Sequence, residues 1–408
     1  MHFLFAWRYF KAKKSTNVIN IIAWVCITAI VIGTAALILV LSVFNGFEGL
    51  VKSLYSAFYP DLKISAPIGK VINFSPQQQQ ELKNIKDIKT FSLVVEEKAL
   101  LQSYDNQSLV TVKGVDSQYR YVNTVSEHIA GGDYEFGTAE RPLIVLGAGV
   151  ESSLGILADK FADALTIYIP QKKGQATGLD VMSTISNDSI HAVGSFMIQQ
   201  DFDNKYALTN IGFLKSRLQM APDEYTAVEI AVTSADKTDQ VQKEISKLLG
   251  NGYKIENRYQ QNQSLYSVMR MERWIFYAVL CLILVVAAFN MVGALTMLVL
   301  EKEKDISILN ALGASQSFIQ RVFLSEGFLL ASIGGVIGML LALIGVLLQL
   351  KFHIVPLEGG SFLIDYFPAE LKLADFILVG VTVLFIAFIA SWLPARKASH
   401  REFSLRSE

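Results

Sequence analysis

Four long stretches of the chain carry no charged residue, and a largely polar region separates the first stretch from the second. The uncharged stretches are residues 15–47, 274–300, 327–350 and 376–395. Each can cross a hydrocarbon core about 30 Å thick, which takes about 20 helical residues. Residues 48–272, by contrast, have the composition of a water-soluble fold. The pattern therefore predicts four membrane-spanning helices with one large domain between the first two.

The predicted fold class is an α-helical membrane protein with four transmembrane helices and a large α+β extracytoplasmic domain between helices one and two. The predicted segments are 1–17, a cytoplasmic N-terminal segment; 18–47, transmembrane helix 1 with a stalk; 48–262, the domain, in two subdomains; 263–300, a second stalk and transmembrane helix 2; 301–316, a cytoplasmic coupling segment; 317–350, transmembrane helix 3; 351–373, a short external loop; 374–395, transmembrane helix 4; and 396–408, a cytoplasmic tail.

The first stretch is too long for a cleaved signal peptide. Its apolar core, 21–41, exceeds the 7–15 residues typical of a signal h-region, which predicts an uncleaved anchor. As a helix, 15–47 would span about 50 Å, so part of it is expected to project from the membrane as a stalk. Residues 262–273 contain neither proline nor glycine and predict a second stalk helix.

The polar region alternates strand-like and helix-like segments. Residues 109–115, 164–170 and 190–198 predict strands, whereas 76–86 and 236–249 predict helices, the second ending at Gly250. The run Gly147-Ala-Gly149 lacks the third glycine of a dinucleotide fingerprint and predicts a strand-to-helix turn. We expect an α+β domain.

Composition and charge narrow the function. Apolar residues make up 52% of the chain and charged residues 18%, as befits a partly lipid-embedded protein. A net charge of −1 gives no basic excess for a nucleic-acid partner. The basic residues of both tails predict that both termini are cytoplasmic, because loops on that side are enriched in Lys and Arg. Cys26 and Cys281 fall inside predicted spans, so the domain has no disulfide.

Motifs for catalysis are missing from the sequence. It contains no G-x-x-x-x-G-K-[ST] phosphate loop, and its five histidines are isolated, without metal-ligand spacing. No ionisable residue is expected in the middle of a span, which argues against a proton or ion relay. We therefore expect a non-catalytic protein with no metal or cofactor, which depends on a partner for energy.

The segment between the second and third spans has a distinctive pattern. Acidic residues fall in the first turn of a short predicted helix, Gly313 stands at its C-cap, and Ser317 to Gln320 predict a capping box for the next helix. An apolar stripe would oppose charges that project into the cytoplasm. Two interpretations stay open: a connector lying on the bilayer, or a coupling helix that docks into a cytoplasmic ATPase. The candidate ATPase-coupling residues are Glu301, Lys302, Asp305, Ile306, Leu309, Leu312 and Gly313.

Motifs along nearly the whole chain resemble the lipoprotein-releasing (Lol-type) ABC transporter permeases, within the broader MacB-like permease superfamily. The segments that carry this resemblance are Leu41-Ser-Val-Phe-Asn45-Gly46-Phe47-Glu48, Lys113-Gly-Val-Asp116, Met271-Glu-Arg273, Ala287-Ala-Phe-Asn290, Leu312-Gly313-Ala314 and Pro394-Ala395-Arg396. The Leu-Gly-Ala segment is shared with MacB-like permeases in general, whereas the segments at Asn45 and Asn290 are more particular to the Lol type.

The resemblance implies a location and a set of partners. Lol-type permeases are multi-pass proteins of the bacterial inner membrane, with the large domain in the periplasm. They extract triacylated lipoproteins from the outer leaflet and pass them to a periplasmic lipoprotein carrier. The implied partners are a cytoplasmic ABC ATPase dimer, a second permease chain (the same or a paralogue), triacylated lipoproteins, the carrier and membrane lipid.

A lipoprotein cavity is expected at the outer ends of spans one and two, where apolar side chains would line a space for acyl chains. The candidates are Val40, Val43, Phe44, Asn45, Phe47, Leu265, Met269 and Ile275. Ordinary packing is the competing interpretation of each. Asn45 and Gly46 either kink span one or satisfy a helix end, and Asn290 is expected to hydrogen-bond between helices.

A long polar loop, 171–188, lies between two predicted strands. In the family, one of the two permeases grips the carrier with a hairpin in this region, so Gln171, Gly174, Gly178 and Met182 are candidate carrier-binding residues. A surface loop without a partner is the alternative.

The main alternative function is a MacB-like mechanotransmission permease, for export or for cell-wall hydrolase activation, with no substrate crossing its spans. A sensor would need a cytoplasmic output module, and an enzyme would need a catalytic constellation. The sequence pattern favours neither.

Overall fold

The computed structural model describes residues 17–158, 164–170, 185–357 and 366–399. The helices are α1 (Asn17–Phe58), α2 (Pro76–Lys83), α3 (Tyr119–Val122), α4 (Ala148–Leu154), α5 (Gln200–Asp203), α6 (Ile211–Arg217), α7 (Thr238–Leu249), α8 (Arg258–Gln261), α9 (Gln263–Glu301), α10 (Glu303–Ala311), α11 (Gln316–Phe352) and α12 (Leu373–Ser399). The strands are β1 (Leu62–Ser65), β2 (Ile72–Asn73), β3 (Ile88–Ser103), β4 (Asn106–Val115), β5 (Ile129–Gly132), β6 (Leu143–Gly147), β7 (Ala164–Pro170), β8 (Ile185–Phe196), β9 (Tyr206–Asn210), β10 (Glu224–Tyr225), β11 (Ala227–Val232) and β12 (Lys254–Asn257).

Four of these helices, α1, α9, α11 and α12, are long and apolar enough to cross a membrane, at the places that the uncharged stretches predicted. Each runs beyond its uncharged stretch. The largest difference is in α1, which continues to Phe58 rather than ending at 47. Tyr59 precedes Pro60, a position that disfavours the helical conformation, so the helix stops there.

The chain forms two compact units, a membrane unit and a domain unit. In the membrane unit, apolar side chains of all four long helices share one core. Small residues bring two of the helices close together: a Cβ on Gly334 or Gly338 of α11 would lie within about 3 Å of α1 atoms near Ile27, Ile30 and Val31. Such small residues one turn apart let helix backbones approach in lipid.

The domain unit is built on one ten-stranded sheet. Its strands follow the order β12-β1-β11-β3-β4-β9-β6-β8-β5, and β7 pairs with both β3 and β8. Because side chains alternate along a strand, the sheet has one apolar face, which packs against buried residues of α2, α4, α6 and α7. The other face carries charged residues, among them Lys113 and Glu229. The expected division into two subdomains stays a prediction.

Most of the predicted domain elements form close to their expected bounds. The strand at 164–170 is β7, the strand at 109–115 is most of β4, and Gly250 caps α7 with a φ of 67°. The strand-to-helix turn at Gly147 joins β6 to α4, as predicted. A Cβ on Gly147 would lie 2.3 Å from the carbonyl oxygen of Asp203, so this turn needs glycine for close packing.

Candidate functional site

The segment between α9 and α11 folds as a separate short helix, α10. Glu303 and Asp305 lie in its first turn, where the helix dipole stabilises their negative charges. Gly313 adopts a left-handed φ of 89°, and the Ala314 N–H donates to the carbonyl of Leu309 at 3.0 Å. This capping motif ends the helix at the place that the glycine predicted.

The cap of the following helix differs from the prediction. The N-cap of α11 is Ser315, whose Oγ accepts from the N–H of Phe318 at 3.3 Å. Ser317, the predicted cap, lies in the first turn, with its hydroxyl 3.1 Å from that of Ser315. The predicted box was wrong by two residues because both serines precede a helical run, and only Ser315 has the extended backbone that an N-cap requires.

The predicted apolar stripe of α10 divides into a buried side and an open side. Ile306 is 6% exposed and packs in a small core with Val299, Ile319 and Phe323. Leu312 is 79% exposed. Ile308, which is not among the predicted coupling residues, is 58% exposed. These two residues are four apart, one helical turn. They form an open apolar pair on this part of the membrane unit.

The charged candidates are distributed differently. Lys302 pairs with Asp305 at 3.4 Å, and its side chain is only 18% exposed, so it does not project freely as expected. Glu301 is the last residue of α9 rather than part of the short helix.

A polar cluster joins three helices of the membrane unit, α1, α9 and α12. Asp375 of α12 is 2% exposed and accepts a hydrogen bond from the amide of Asn45 in α1 at 2.5 Å. Its other carboxylate oxygen pairs with the guanidinium of Arg273 in α9, also at 2.5 Å. Asn45, proposed as a cavity residue, thus uses its side chain to bind a carboxylate.

The segment before α12 lies directly on α1 beside this cluster. The Glu370 N–H donates to the carbonyl of Ser42 at 2.9 Å, and Asn45 Nδ2 lies 3.4 Å from the Glu370 carbonyl. A Cβ on Gly46 would lie 2.4 Å from the backbone nitrogen of Ala369. Of the two interpretations of Asn45 and Gly46, the contacts favour a packed helix-to-segment junction, since α1 runs on past both residues.

The remaining cavity candidates are partly or largely exposed. Val40, Val43, Phe44 and Phe47 on α1, and Met269 on α9, are half-buried, whereas Ile275 is 51% exposed. Phe44 contacts Phe276, the neighbour of Ile275, with ring centroids 4.9 Å apart. Leu265 belongs to the domain unit. The cavity stays a prediction.

One buried ionisable side chain was not predicted from the sequence. Glu326 lies in α11 and is 4% exposed, and its Oε2 has no hydrogen-bond partner among the described residues. Glu326 directly precedes the uncharged stretch 327–350 that predicted the third span. Its burial could not be predicted from hydropathy, because it depends on which side of α11 meets the other helices.

In the domain unit, the charged face of the sheet buries an ion pair. Lys113 of β4 and Glu229 of β11 are 2% and 1% exposed, and Lys113 Nζ lies 2.7 Å from Glu229 Oε1. Glu96 of β3 places its Oε1 atom 3.3 Å from the same ammonium, and its Oε2 atom lies 3.5 Å from the Nζ atom of Lys63 in β1. Four strands therefore contribute to one charged row across the sheet.

The end of α1 covers this row. Lys113 Nζ lies 4.8 Å from the ring centre of Phe58 and 5.0 Å from that of Tyr119. Phe58, the last residue of α1, also stacks on Phe202 at 4.6 Å. The domain end of α1 is thus anchored through aromatic packing and a cation–π contact.

The charges in this row stabilise one another. Burial disfavours the ammonium of Lys113, but the carboxylates of Glu229 and Glu96 outweigh it and hold the pKa of Lys113 well above its usual value. Burial likewise opposes ionisation of Glu96, yet Lys63 and Lys113 lower the pKa of Glu96 to about 2. Lys113 and Glu96 are therefore both charged at neutral pH.

The Lys113-Gly-Val-Asp116 motif now has a structural explanation. Lys113 anchors the ion pair, and a Cβ on Gly114 would lie 3.0 Å from the Ile211 and Leu214 atoms of α6. Asp116 accepts from the Ser92 hydroxyl at 2.7 Å and from the Leu93 N–H at 3.0 Å. The motif joins the sheet to its helices and to the end of α1.

The predicted carrier loop is shorter than expected. β7 and β8 pair antiparallel from Pro170 opposite Ile185 onwards, so residues 185–188 belong to a strand. Gln171, Gly174, Gly178 and Met182 lie outside the described residues. The two strands on either side of this segment, β7 and β8, pair antiparallel.

Comparisons with known proteins agree with this architecture. Residues 23–248 match the family model for the MacB-like periplasmic core domain, and 277–403 match that for the FtsX-like permease C-terminal region. The chain is 27% identical to the lipoprotein-releasing system transmembrane protein LolE of Haemophilus influenzae, over 97% of this chain and 96% of that one. It is 26% identical to LolC of Neisseria meningitidis (98% and 97% covered) and 25% identical to LolC of Xylella fastidiosa (96% and 95% covered).

A helical membrane unit with an FtsX-like C-terminal region and a periplasmic domain defines an ABC transporter permease. The chain belongs to the MacB-like permeases, and within that superfamily to the Lol type. The predicted family resemblance is confirmed.

Proposed function

We propose that this chain is a permease subunit that extracts lipoproteins from the outer leaflet of the inner membrane and passes them to a periplasmic carrier. Its similarity to lipoprotein-releasing proteins over almost the whole of both chains is the observation that carries this proposal. A separate ABC ATPase dimer supplies the energy, and a second permease chain completes the transporter. Both termini lie in the cytoplasm.

The ATPase docks on α10 through the open apolar pair Ile308 and Leu312. A pair of exposed apolar side chains one turn apart suits insertion into a groove of a partner. Replacing both by serine should release the ATPase from the purified complex while leaving the melting temperature within about 2 °C, since neither residue is buried. The matched control is Ile306→Ala, which should lower the melting temperature instead. Full ATPase retention in the serine variant would contradict this docking site.

Acyl chains bind beside the domain ends of α1 and α9. Val40, Val43, Phe44, Phe47 and Met269 are half-buried, which leaves apolar surface for a lipid ligand. Phe44→Asp should abolish copurification of lipoprotein, because a carboxylate is costly next to acyl chains. Trp24, exposed on the same helix, provides the control: Trp24→Phe should leave copurification intact.

The segment that connects β7 to β8, with Gln171, Gly174, Gly178 and Met182, grips the carrier. The support for this proposal is the antiparallel pairing of Pro170 with Ile185, which brings the two ends of the connecting segment together. Replacing 172–183 by a short Gly-Ser linker should abolish crosslinking to the carrier and leave lipoprotein binding unchanged. Retained crosslinking would refute the assignment.

A MacB-like mechanotransmission permease is the second candidate, since the MacB-like core-domain model covers 23–248. Mass spectrometry of the complex purified from its native membrane separates the two. An ATPase together with acylated lipoproteins supports lipoprotein release. An ATPase with an outer-membrane channel, an adaptor or a wall hydrolase, and without lipoproteins, supports mechanotransmission.

A further inference from the structure

The domain unit contains an open polar cleft beside the points where both stalk helices join it. Its volume is about 480 Å³, within the usual range for a ligand site. Tyr59 and Gln261 line it. Tyr59 directly follows α1, and Gln261 precedes α9 by two residues. Two of the lining residues thus lie next in sequence to the helices that lead to the membrane unit.

The lining has mixed polarity, which decides the kind of ligand. Strand residues Thr111 and Thr226 contribute hydroxyls, and Tyr59 and Tyr206 contribute aromatic rings. Acyl chains need an apolar lining, and this cleft lacks one. An extended hydrophilic peptide, by contrast, can use hydroxyls for its polar groups and aromatic rings for its side chains.

The charges of the cleft leave a cationic excess. Two of its lysines are already paired, Lys63 with Glu96 and Lys70 with Glu97 at 2.9 Å. Glu256 also lines the cleft, and it pairs at 2.7 Å with Lys254, which lies outside the cleft. Lys98 and Lys205 also line the cleft, are exposed, and form no ion pair with any described residue. Lys205 lies over the ring of Tyr206 at 5.1 Å. The unpaired ammonium groups therefore favour carboxylates on the ligand.

We propose that this cleft binds the peptide tether of the lipoprotein substrate, the polar segment that follows the acylated cysteine, with preference for tethers carrying Asp or Glu. The inference rests on the proposed function, because only a membrane-anchored lipoprotein presents such a segment close to the stalk helices.

The test uses the complete transporter in nanodiscs and two model lipoproteins that differ only in the tether, one acidic and one with Asn and Gln at the same positions. Lys98→Glu/Lys205→Glu should weaken capture of the acidic-tether lipoprotein on the order of tenfold relative to the parent, and leave the neutral-tether lipoprotein unchanged. A third lipoprotein with a Lys-rich tether should be captured better by the variant than by the parent.

Lys86→Glu/Lys243→Glu is the matched control, because both lysines are exposed, make no ion pair with described residues and lie outside the cleft. It changes the net charge equally and should alter none of the three captures. In addition, a photocrosslinker in place of Thr111 should label the tether within its first residues.

Equal capture of all tethers by parent and variant would overturn the tether site, even if lipoproteins are still released. Loss of carrier binding in the variant, with the tether crosslink absent, would assign the cleft to the carrier instead. If the parent transporter captures no lipoprotein at all, the proposed function itself fails, and the two failures are thus distinguishable.

Discussion

Each unit of this permease buries an ion pair, and the two pairs are built differently. Lys113 and Glu229 stand on strands of one sheet, both almost fully buried, beneath aromatic rings. Arg273 and Asp375 stand on two separate helices, and the guanidinium keeps 31% of its surface exposed. Strands of one sheet cannot separate without breaking their ladder, whereas helix ends can shift by small rotations.

This difference indicates that one ion pair stabilises the fold and that the other can open during a transport cycle. A fully buried pair is costly to break, because either partner alone is left as an unpaired charge. In the membrane unit only Arg273 is partly exposed, so water can solvate its guanidinium when the pair opens, while the buried Asp375 keeps the hydrogen bond from Asn45. We therefore expect Lys113–Glu229 to fix the end of α1 in the domain, and Arg273–Asp375 to connect α9 and α12 reversibly.

The largest expected effect follows from removing one charge of the domain pair. Lys113→Met should destabilise the domain by about 3–5 kcal/mol, because Glu229 is left buried without its partner. Thermal unfolding of the full-length protein in detergent, followed by intrinsic fluorescence, measures this loss. The double variant Lys113→Met/Glu229→Met should recover a large part of the lost stability. Equal losses in the single and double variants would show that packing, and not the stranded charge, is responsible.

The next effect concerns the junction beside the membrane pair. Gly46→Ala should destabilise the membrane unit by about 1–3 kcal/mol, since the new methyl group overlaps the backbone at Ala369. The control is Gly293→Ala in α9, where a Cβ meets nothing within 4 Å. That change should be neutral or mildly stabilising, because alanine favours helix. Similar melting temperatures for the two variants would contradict the tight junction.

A double-mutant cycle compares the two pairs directly. The coupling energy of Arg273→Gln with Asp375→Asn should be about 1 kcal/mol, and clearly below that of the domain pair. Lipoprotein release should fall in both single variants, although the protein remains folded. A coupling as large as that of Lys113–Glu229 would refute the distinction between a fixed and a reversible pair.

The smallest effect comes from the buried carboxyl group of Asp203. Burial raises the pKa of Asp203 from 3.8 to about 6, against opposing hydrogen bonds from the Ile198 and Gln199 N–H groups. Because the folded state then binds the proton more tightly, this group favours folding below pH 3.8, and that contribution is lost as the pH rises through about 6. Relative to Asp203→Asn, the wild-type melting temperature should fall by a few degrees, roughly 2–4 °C, between pH 4 and 7. Parallel pH profiles would contradict this assignment.

Much of the fold could be predicted because hydropathy and glycine positions act locally. The uncharged stretches fixed the four long helices, and Gly313 and Gly250 marked two helix ends correctly. The cap at Ser315 was missed because two serines compete within one segment. Of the open apolar pair, Leu312 was among the predicted coupling residues and Ile308 was not. Which side of α10 is open depends on the contacts that bury Ile306 against other helices, and the sequence does not show these contacts.

By itself, the sequence determined the class of protein: four apolar helices, an α+β domain between the first two, and the family motifs. These follow from composition, periodicity and local turn chemistry. Only the tertiary structure decided which ionisable side chains are buried, as at Glu326, Asp375 and Lys113, because burial depends on contacts with residues distant in the chain. It also brought Lys98 and Lys205 to one cleft, since strand order is set by long-range pairing.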